Sequence, residues 1–289
     1  MTRTALRPGE VICSGGLFVP CPSVTSYTGI DDLTVDLDGH VLTVTLNRPG
    51  GLNSLTEPML TALADTVDRA ALDPRVKVVR LGGAGRGFCA GAGISAEDQA
   101  AQADSPTVDG VLLAANRAIR SITALPKPVV AVVHGPAAGV GVSLALACDV
   151  IVASETAFFL LAFTKIGLMP DGGASALVAA AIGRIRAMRM ALLAERISAT
   201  DALEFGLVSS VHPADEVPAA AAAVIDSLVA GPAVALRRTK QAVNAATLTE
   251  LEAALERETD GQRHLLRSAD FIEGTRAFQE RRAASFTDQ

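Results

Sequence analysis

The chain has no tryptophan, one tyrosine and only 3% aromatic residues. A core poor in large rings favours small aliphatic helices packed closely on a sheet over a recognition surface built on aromatic stacking. Charge is sparse at 19%, and the net charge of −6 leaves no basic excess. Nucleic acid is therefore not expected as a partner, since phosphate binding needs a local surplus of Lys and Arg. No apolar run reaches the roughly 18 residues of a membrane span, so no membrane contact is expected either. The four cysteines (Cys13, Cys21, Cys89, Cys148) and four histidines (His40, His134, His212, His264) lack metal-site spacing. Reduced thiols in a cytoplasmic protein fit that pattern. Arg3 and Arg7 precede an apolar stretch over 11–19, but Ser14, Gly15 and Gly16 interrupt it. We expect an N-terminal extension there and not a signal peptide.

What the chain has in quantity is aliphatic side chain: 49% hydrophobic residues over 289 positions, enough for a sizeable core. Residues 1–29 are rich in Ser, Thr, Pro and Gly and read as irregular. Leu33, Val35 and Leu37 then alternate, Asp38-Gly39 signals a hairpin, and 41–46 alternates again. Thr56 reads as an N-cap with Glu57 and Pro58 in the first turn, and Leu60, Leu63, Ala64 and Val67 follow at helical spacing. The run 76–81 predicts a buried strand leading into a glycine-rich stretch, 85–93. Residues 97–106 are polar and alanine-rich, with the composition of a mobile lid. An amphipathic helix runs through Val111, Leu112, Ala115 and Ile119, and 129–133 is again a buried strand before a second glycine stretch, 135–141.

Strand, glycine-rich turn, helix and strand thus occur twice, which implies a largely parallel sheet with helical cover. Further on, 157–161 reads as a strand, 167–173 as a turn, 174 onward and 184–194 as helices, and 208–211 as a strand. Helices are predicted at 215–229, 232–246, 249–265 and 270–284. The division expected is an extension (1–29), an α/β core (30–213) and a helical region (214–289).

Gly85-x-Gly87-x-x-Ala90 fits a dinucleotide fingerprint, but two strands and a helix precede it and no acidic residue follows at the required distance. Ser143 and Ser175 lie outside any G-x-S-x-G elbow. The two glycine-rich helix starts leave two readings: tight turns with no ligand, or two backbone N–H groups that share one oxygen as an oxyanion hole.

Phe88-Cys89-Ala90-Gly91-Ala92-Gly93-Ile94 resembles the F-C-A-G-A-D-L signature of the enoyl-CoA hydratase/isomerase (crotonase) superfamily. The stretch 128–149, with Gly135, Gly139, Gly141 and Cys148-Asp149, is similar to its second signature. The turn 166–173 and the segment 197–208 continue the likeness, which spans about 33–286. The resemblance implies an α/β fold of the ClpP/crotonase-like kind, a spiral of ββα repeats with a C-terminal helical trimerisation region. It implies an acyl-CoA thioester substrate whose enolate is stabilised, no cofactor beyond that coenzyme A, and a homotrimer or a hexamer of two trimers. The oxyanion donors it implies are the N–H groups of Ala92 and Val140. Contacts to substrate are implied at Ala90, Gly91, Ile94, Gly139, Phe163, Leu168 and Phe278, with Arg48, Arg86, Arg281 and Arg282 as candidates for the CoA phosphates.

The departures from the pattern carry information. Hydratases of the family use two glutamates to hold and activate water, and their positions are occupied here by Ser143 and Phe163. Asp171 is the carboxylate that remains, where isomerases of the family carry an acidic proton shuttle; as a plain turn residue it would instead cap the following helix. The expectation is an isomerase that moves a 3-enoyl double bond to the 2-position with Asp171 as single shuttle. The alternatives are an atypical 2-enoyl-CoA hydratase and a non-catalytic acyl-CoA-binding protein.

Overall fold

The computed structural model describes residues 10–12, 18–20, 26–95, 98 and 109–287. Near the N-terminus, where irregular chain is expected, β1 (Glu10–Ile12) and β2 (Phe18–Pro20) form an antiparallel pair. The proposed lid, 97–106, lies outside the described residues apart from Asp98.

The main sheet has six strands in the order β11-β8-β6-β5-β4-β3. β3 (Leu33–Asp38) and β4 (Val41–Leu46) pair as an antiparallel hairpin through Asp38-Gly39, where Gly39 takes a φ of +54°. β5 (Val78–Gly83), β6 (Val129–Val133), β8 (Val150–Ser154) and β11 (Ser210–His212) add in parallel. Parallel neighbours need a crossover, and helices supply it. α1 (Glu57–Leu72) begins at Thr56, whose hydroxyl accepts the Met59 N–H at 3.4 Å, and joins β4 to β5. α2 (Gly110–Ala124) joins β5 to β6, and α3 (Val140–Ala147) follows β6.

A second, smaller sheet explains the spiral. β7 (Pro136–Ala138) pairs in parallel with β9 (Phe158–Leu160), and β10 (Ile197–Ser198) pairs antiparallel with β9. Cys89 bridges to Ala137 on the other side of β7. The chain therefore lays a strand in the large sheet, then one in the small, then a helix, and repeats. Cys89, Ala137 and Phe159 mark three successive turns of that path, all fully buried.

α4 (Ala174–Leu193) contains a break at Gly183 (φ 76°, ψ 160°), so the two helices expected there are two segments separated by one residue. α5 (Ala199–Phe205) is capped by the Ser198 hydroxyl. α6 (Val217–Ala230) covers the outer face of the main sheet, where Val217, Ala221 and Ile225 pack on Val78, Val130, Val132 and Val152. α7 (Ala233–Thr247) is anchored by Lys240, whose Nζ pairs with Asp149 at 2.9 Å and donates to the carbonyls of Ile122 and Lys127. α8 (Leu251–Leu265) and α9 (Ala269–Gln279) complete the chain. The last helix is shorter than the expected 270–284, so Arg281 and Arg282 lie beyond it; Arg282 is paired with Glu273 and Glu280. No single helix among the described residues is long and apolar enough to cross a membrane.

Candidate active site

The small sheet brings the two glycine stretches together. Cys89 N–H donates to Pro136 O at 3.0 Å and Ala138 N–H to Cys89 O at 2.8 Å, so the two chains leave the sheet side by side. Gly91 (φ +93°) and Gly139 (φ +52°) then turn past each other. A Cβ on Gly91 would sit 2.8 Å from Ala138 O, and one on Gly139 3.7 Å from Gly91 Cα. At Gly91 both the backbone angle and the approach require glycine, whereas at Gly139 the backbone angle alone does. Immediately after each glycine comes a residue, Ala92 and Val140, whose N–H has no acceptor in the protein among the described residues. Val140 is the first residue of α3, where an orphan donor is expected from helix geometry.

The first stretch is held from outside by Asn53, which is fully buried with a left-handed φ of 57°. Its Nδ2 reaches the carbonyls of Ala84, Gly87 and Phe88 at 2.9, 2.8 and 3.2 Å, while its Oδ1 accepts the Arg48 N–H at 2.9 Å. Cys89, beside it, is no candidate nucleophile: burial pushes its thiol up to about 12.

Ala92 and Val140 open on a cavity with about 810 Å³ of empty space, including its mouth. Its apolar wall includes Ile94, Val111, Leu112, Phe163, Ile166, Leu168, Leu266 and Phe271, and among the described residues its only ionisable lining residue is Asp171. Asp171 is buried, and its side chain does not cap α4; the Glu258 carboxylate does, accepting from Gly173 N–H at 2.6 Å and Ser175 N–H at 2.8 Å. The Ser143 hydroxyl donates to the Asp171 carbonyl at 3.1 Å and steadies the turn. Gln262 Nε2 donates to Asp171 Oδ2 at 2.7 Å, and Oδ1 has no partner. Desolvation, opposed by the Gln262 bond and aided by the Glu258 charge, pushes the carboxyl from 3.8 up to about 7.

Of the residues singled out from sequence, Ala90, Gly91, Ala92, Ile94, Gly139, Val140, Phe163, Leu168 and Asp171 all line this one cavity. Four do not. Arg48 is committed to Asp98 at 2.9 Å and to Ser54, with Asp32 beside it. Arg86 is exposed on the first glycine stretch, Phe278 is 60% exposed, and Arg281 is exposed past α9. Asn53, Glu258 and Gln262 went unnoticed in sequence. The last two look like ordinary polar residues of an amphipathic helix, although Glu258 and Gln262 do share a face at a spacing of four.

The model of the enoyl-CoA hydratase/isomerase family matches residues 36–289. The 1,2-epoxyphenylacetyl-CoA isomerase of Escherichia coli is 39% identical over 250 residues, covering 86% of this chain and 95% of that protein. A probable enoyl-CoA hydratase of Rhodobacter capsulatus is 39% identical over 245 residues, covering 84% and 93%. A crystal structure of an enoyl-CoA hydratase from Mycobacterium avium subsp. paratuberculosis superposes with a TM-score of 0.84 at 62% identity, covering 90% of this chain and 100% of that one. Two facing glycine turns with idle N–H groups, a buried carboxylate between them and α8, and these likenesses lead to one conclusion: the chain is an enzyme of the enoyl-CoA hydratase/isomerase family, with the crotonase fold.

Proposed function

We propose that the enzyme shifts an enoyl-CoA double bond from the 3- to the 2-position, with Asp171 as its single proton shuttle. The thioester oxygen accepts from the N–H groups of Ala92 and Val140. Asp171 Oδ1 takes a proton from C2, the charge moves through the dienolate onto that oxygen, and the same carboxyl returns the proton at C4. Preorganised donors in a water-poor cavity stabilise such a charge better than water does. An ordinary aspartate is a weak base for this proton; one at about 7 is better matched to neutral pH.

The observation that carries this reading is the buried Asp171, one oxygen held by Gln262 and the other unpartnered, as the sole ionisable group lining the cavity among the described residues. Hydration of a 2-enoyl-CoA is the reading that the name of the Mycobacterium avium structure favours. It calls for a second group to hold and split water, and Ser143 is turned to the Asp171 carbonyl instead. The printed name of the Escherichia coli relative favours isomerisation.

The apolar wall suits an acyl group without a terminal charge. The CoA moiety runs along the first glycine stretch, with Arg86 and Arg281 in reach of solvent-borne phosphates and no further cofactor. Self-association as a homotrimer or a pair of trimers is supported by exposed apolar residues on α4, with Ile185 76% and Leu192 60% exposed on one face. The buried free thiols of Cys89 and Cys148 suit a cytoplasmic setting. Purified enzyme incubated with 3-enoyl and 2-enoyl thioesters tests the reaction. Conjugated enoyl absorbance should appear with the first; its loss with the second and no change with the first would establish hydration.

A further inference from the structure

Behind the carboxylate lies a buried polar group that the proposed reaction does not itself use. Glu258 and Gln262 are each 1% exposed, one helical turn apart on α8, about 90 positions along the chain from Asp171 by sequence. A buried amide has two ways to point, and here both ends are specified: Gln262 Oε1 accepts Met169 N–H at 3.3 Å, so Nε2 is turned to Asp171 Oδ2 at 2.7 Å. A buried glutamate needs donors, and Glu258 has the N–H of Gly173, just before α4, at 2.6 Å and that of Ser175 in its first turn at 2.8 Å. It is thereby fixed in place with no proton needed for its hydrogen bonds.

We propose that Gln262 and Glu258 are positioning residues for Asp171: Gln262 fixes which carboxylate oxygen faces the substrate, and Glu258 sets a second negative charge behind it. The proposal rests on Asp171 being the proton shuttle. A shuttle that serves two carbons must swing little, because the proton leaves C2 and returns at C4 of one bound substrate. Tethering Oδ2 leaves Oδ1 as the single basic atom and stops the carboxylate from rotating between the two.

The charge arrangement follows from the same geometry. Of the charged residues on elements around Asp171, Lys165 on the turn before it is exposed, Arg257 pairs with Glu250, and Arg263 pairs with Asp109 at 2.6 Å. α3 presents Ser143, which is neutral, and α9 carries Asp270, whose carboxylate accepts from Thr287. Glu258 is the one whose charge bears on Asp171, and it disfavours ionisation, while the Gln262 hydrogen bond favours it. The two residues therefore pull the carboxyl in opposite directions.

That opposition gives a test that a merely structural role would not satisfy. The pH dependence of kcat/KM for a 3-enoyl-CoA is measured for wild type, Glu258→Gln and Gln262→Met. Removing the charge should move the rising limb about one unit toward acid, and removing the hydrogen bond should move it toward alkali. The Gln262→Met variant should also lose kcat more than KM. The titration of Asp171 is read independently of activity, from the pH dependence of the stability difference between each form and its Asp171→Asn counterpart. If Glu258→Gln does not fold, the Gln262→Met shift decides alone. Limbs that stay in place, or move together in one direction, overturn the proposal. Should Asp171→Asn retain full turnover, the shuttle fails, whereas the stability titration still reports whether Gln262 and Glu258 set this carboxyl.

Discussion

In the proposed reaction Val140 and Asp171 act differently, one through its backbone and the other through its carboxyl. Because the donor at Val140 is the N–H alone, Val140→Ala should leave turnover within a few-fold of wild type. Val140→Pro removes that donor at the first position of α3, where a helix tolerates proline. It should lower kcat about 10²–10³-fold with the fold retained, read from initial rates and circular dichroism. Asp171 also leaves a mark on stability. Its folded carboxyl holds a proton up to about 7, while the unfolded one loses it near 3.8. The native state therefore binds more protons across that window, and stability falls as pH rises through it, by about 1.4 kcal/mol per unit. Asp171→Asn should match wild type in urea unfolding near pH 4 and exceed it at pH 8. Equal pH dependence in both proteins would contradict the burial account.

At the scale of elements, the site is made where two strand-to-helix turns pass each other, and Asn53 fastens one of them. Asn53→Ala strips a shared donor from three carbonyls and a buried acceptor from Arg48 N–H. A loss of about 2 kcal/mol in stability is expected, with a fall in kcat as Ala92 loses its fixed position, both measurable by denaturation and initial rates. Local features of this kind divide by how near their causes lie in the chain. The Thr56 cap, the Asp38-Gly39 hairpin and the two glycine turns are set by neighbours a few residues away, and they were legible. Of the small sheet only β9 was legible, as the strand read over 157–161; β7 and β10 were not, because they are three and two residues long and their pairing is non-local. Asn53 sits in a loop of Pro and Gly where an asparagine is unexceptional until its three partners, more than thirty positions away, are known. Asp171 was legible as a carboxylate in the right turn, but the choice between cap and shuttle was not; Glu258 settles the capping by occupying the helix start.

Over the whole molecule, the C-terminal helices are not an appendage. α6 closes the outer face of the sheet, Lys240 of α7 ties to three points of the core, and α8 supplies the groups behind the carboxylate. The four helices there were legible in the sequence, yet the end of the last was not: α9 stops at Gln279, whose Nε2 donates to Ile94 O at 3.0 Å and links it to the cavity wall. Ile185, Met188, Leu192 and Leu193 of α4 are left exposed by the described residues of one chain. Sedimentation should accordingly give a mass of three or six chains of 29.6 kDa, and a monomer would contradict the trimeric reading.

The account turns on one carboxyl doing the work that hydratases divide between two. The direct measurement is turnover of a 3-enoyl-CoA by wild type and Asp171→Asn, followed as growth of the conjugated enoyl absorbance. Wild type should isomerise the substrate at a rate that rises with pH through about 7, and the variant should be slower by about 10²–10⁴-fold. An Asp171→Asn enzyme that isomerises as fast as wild type would contradict it.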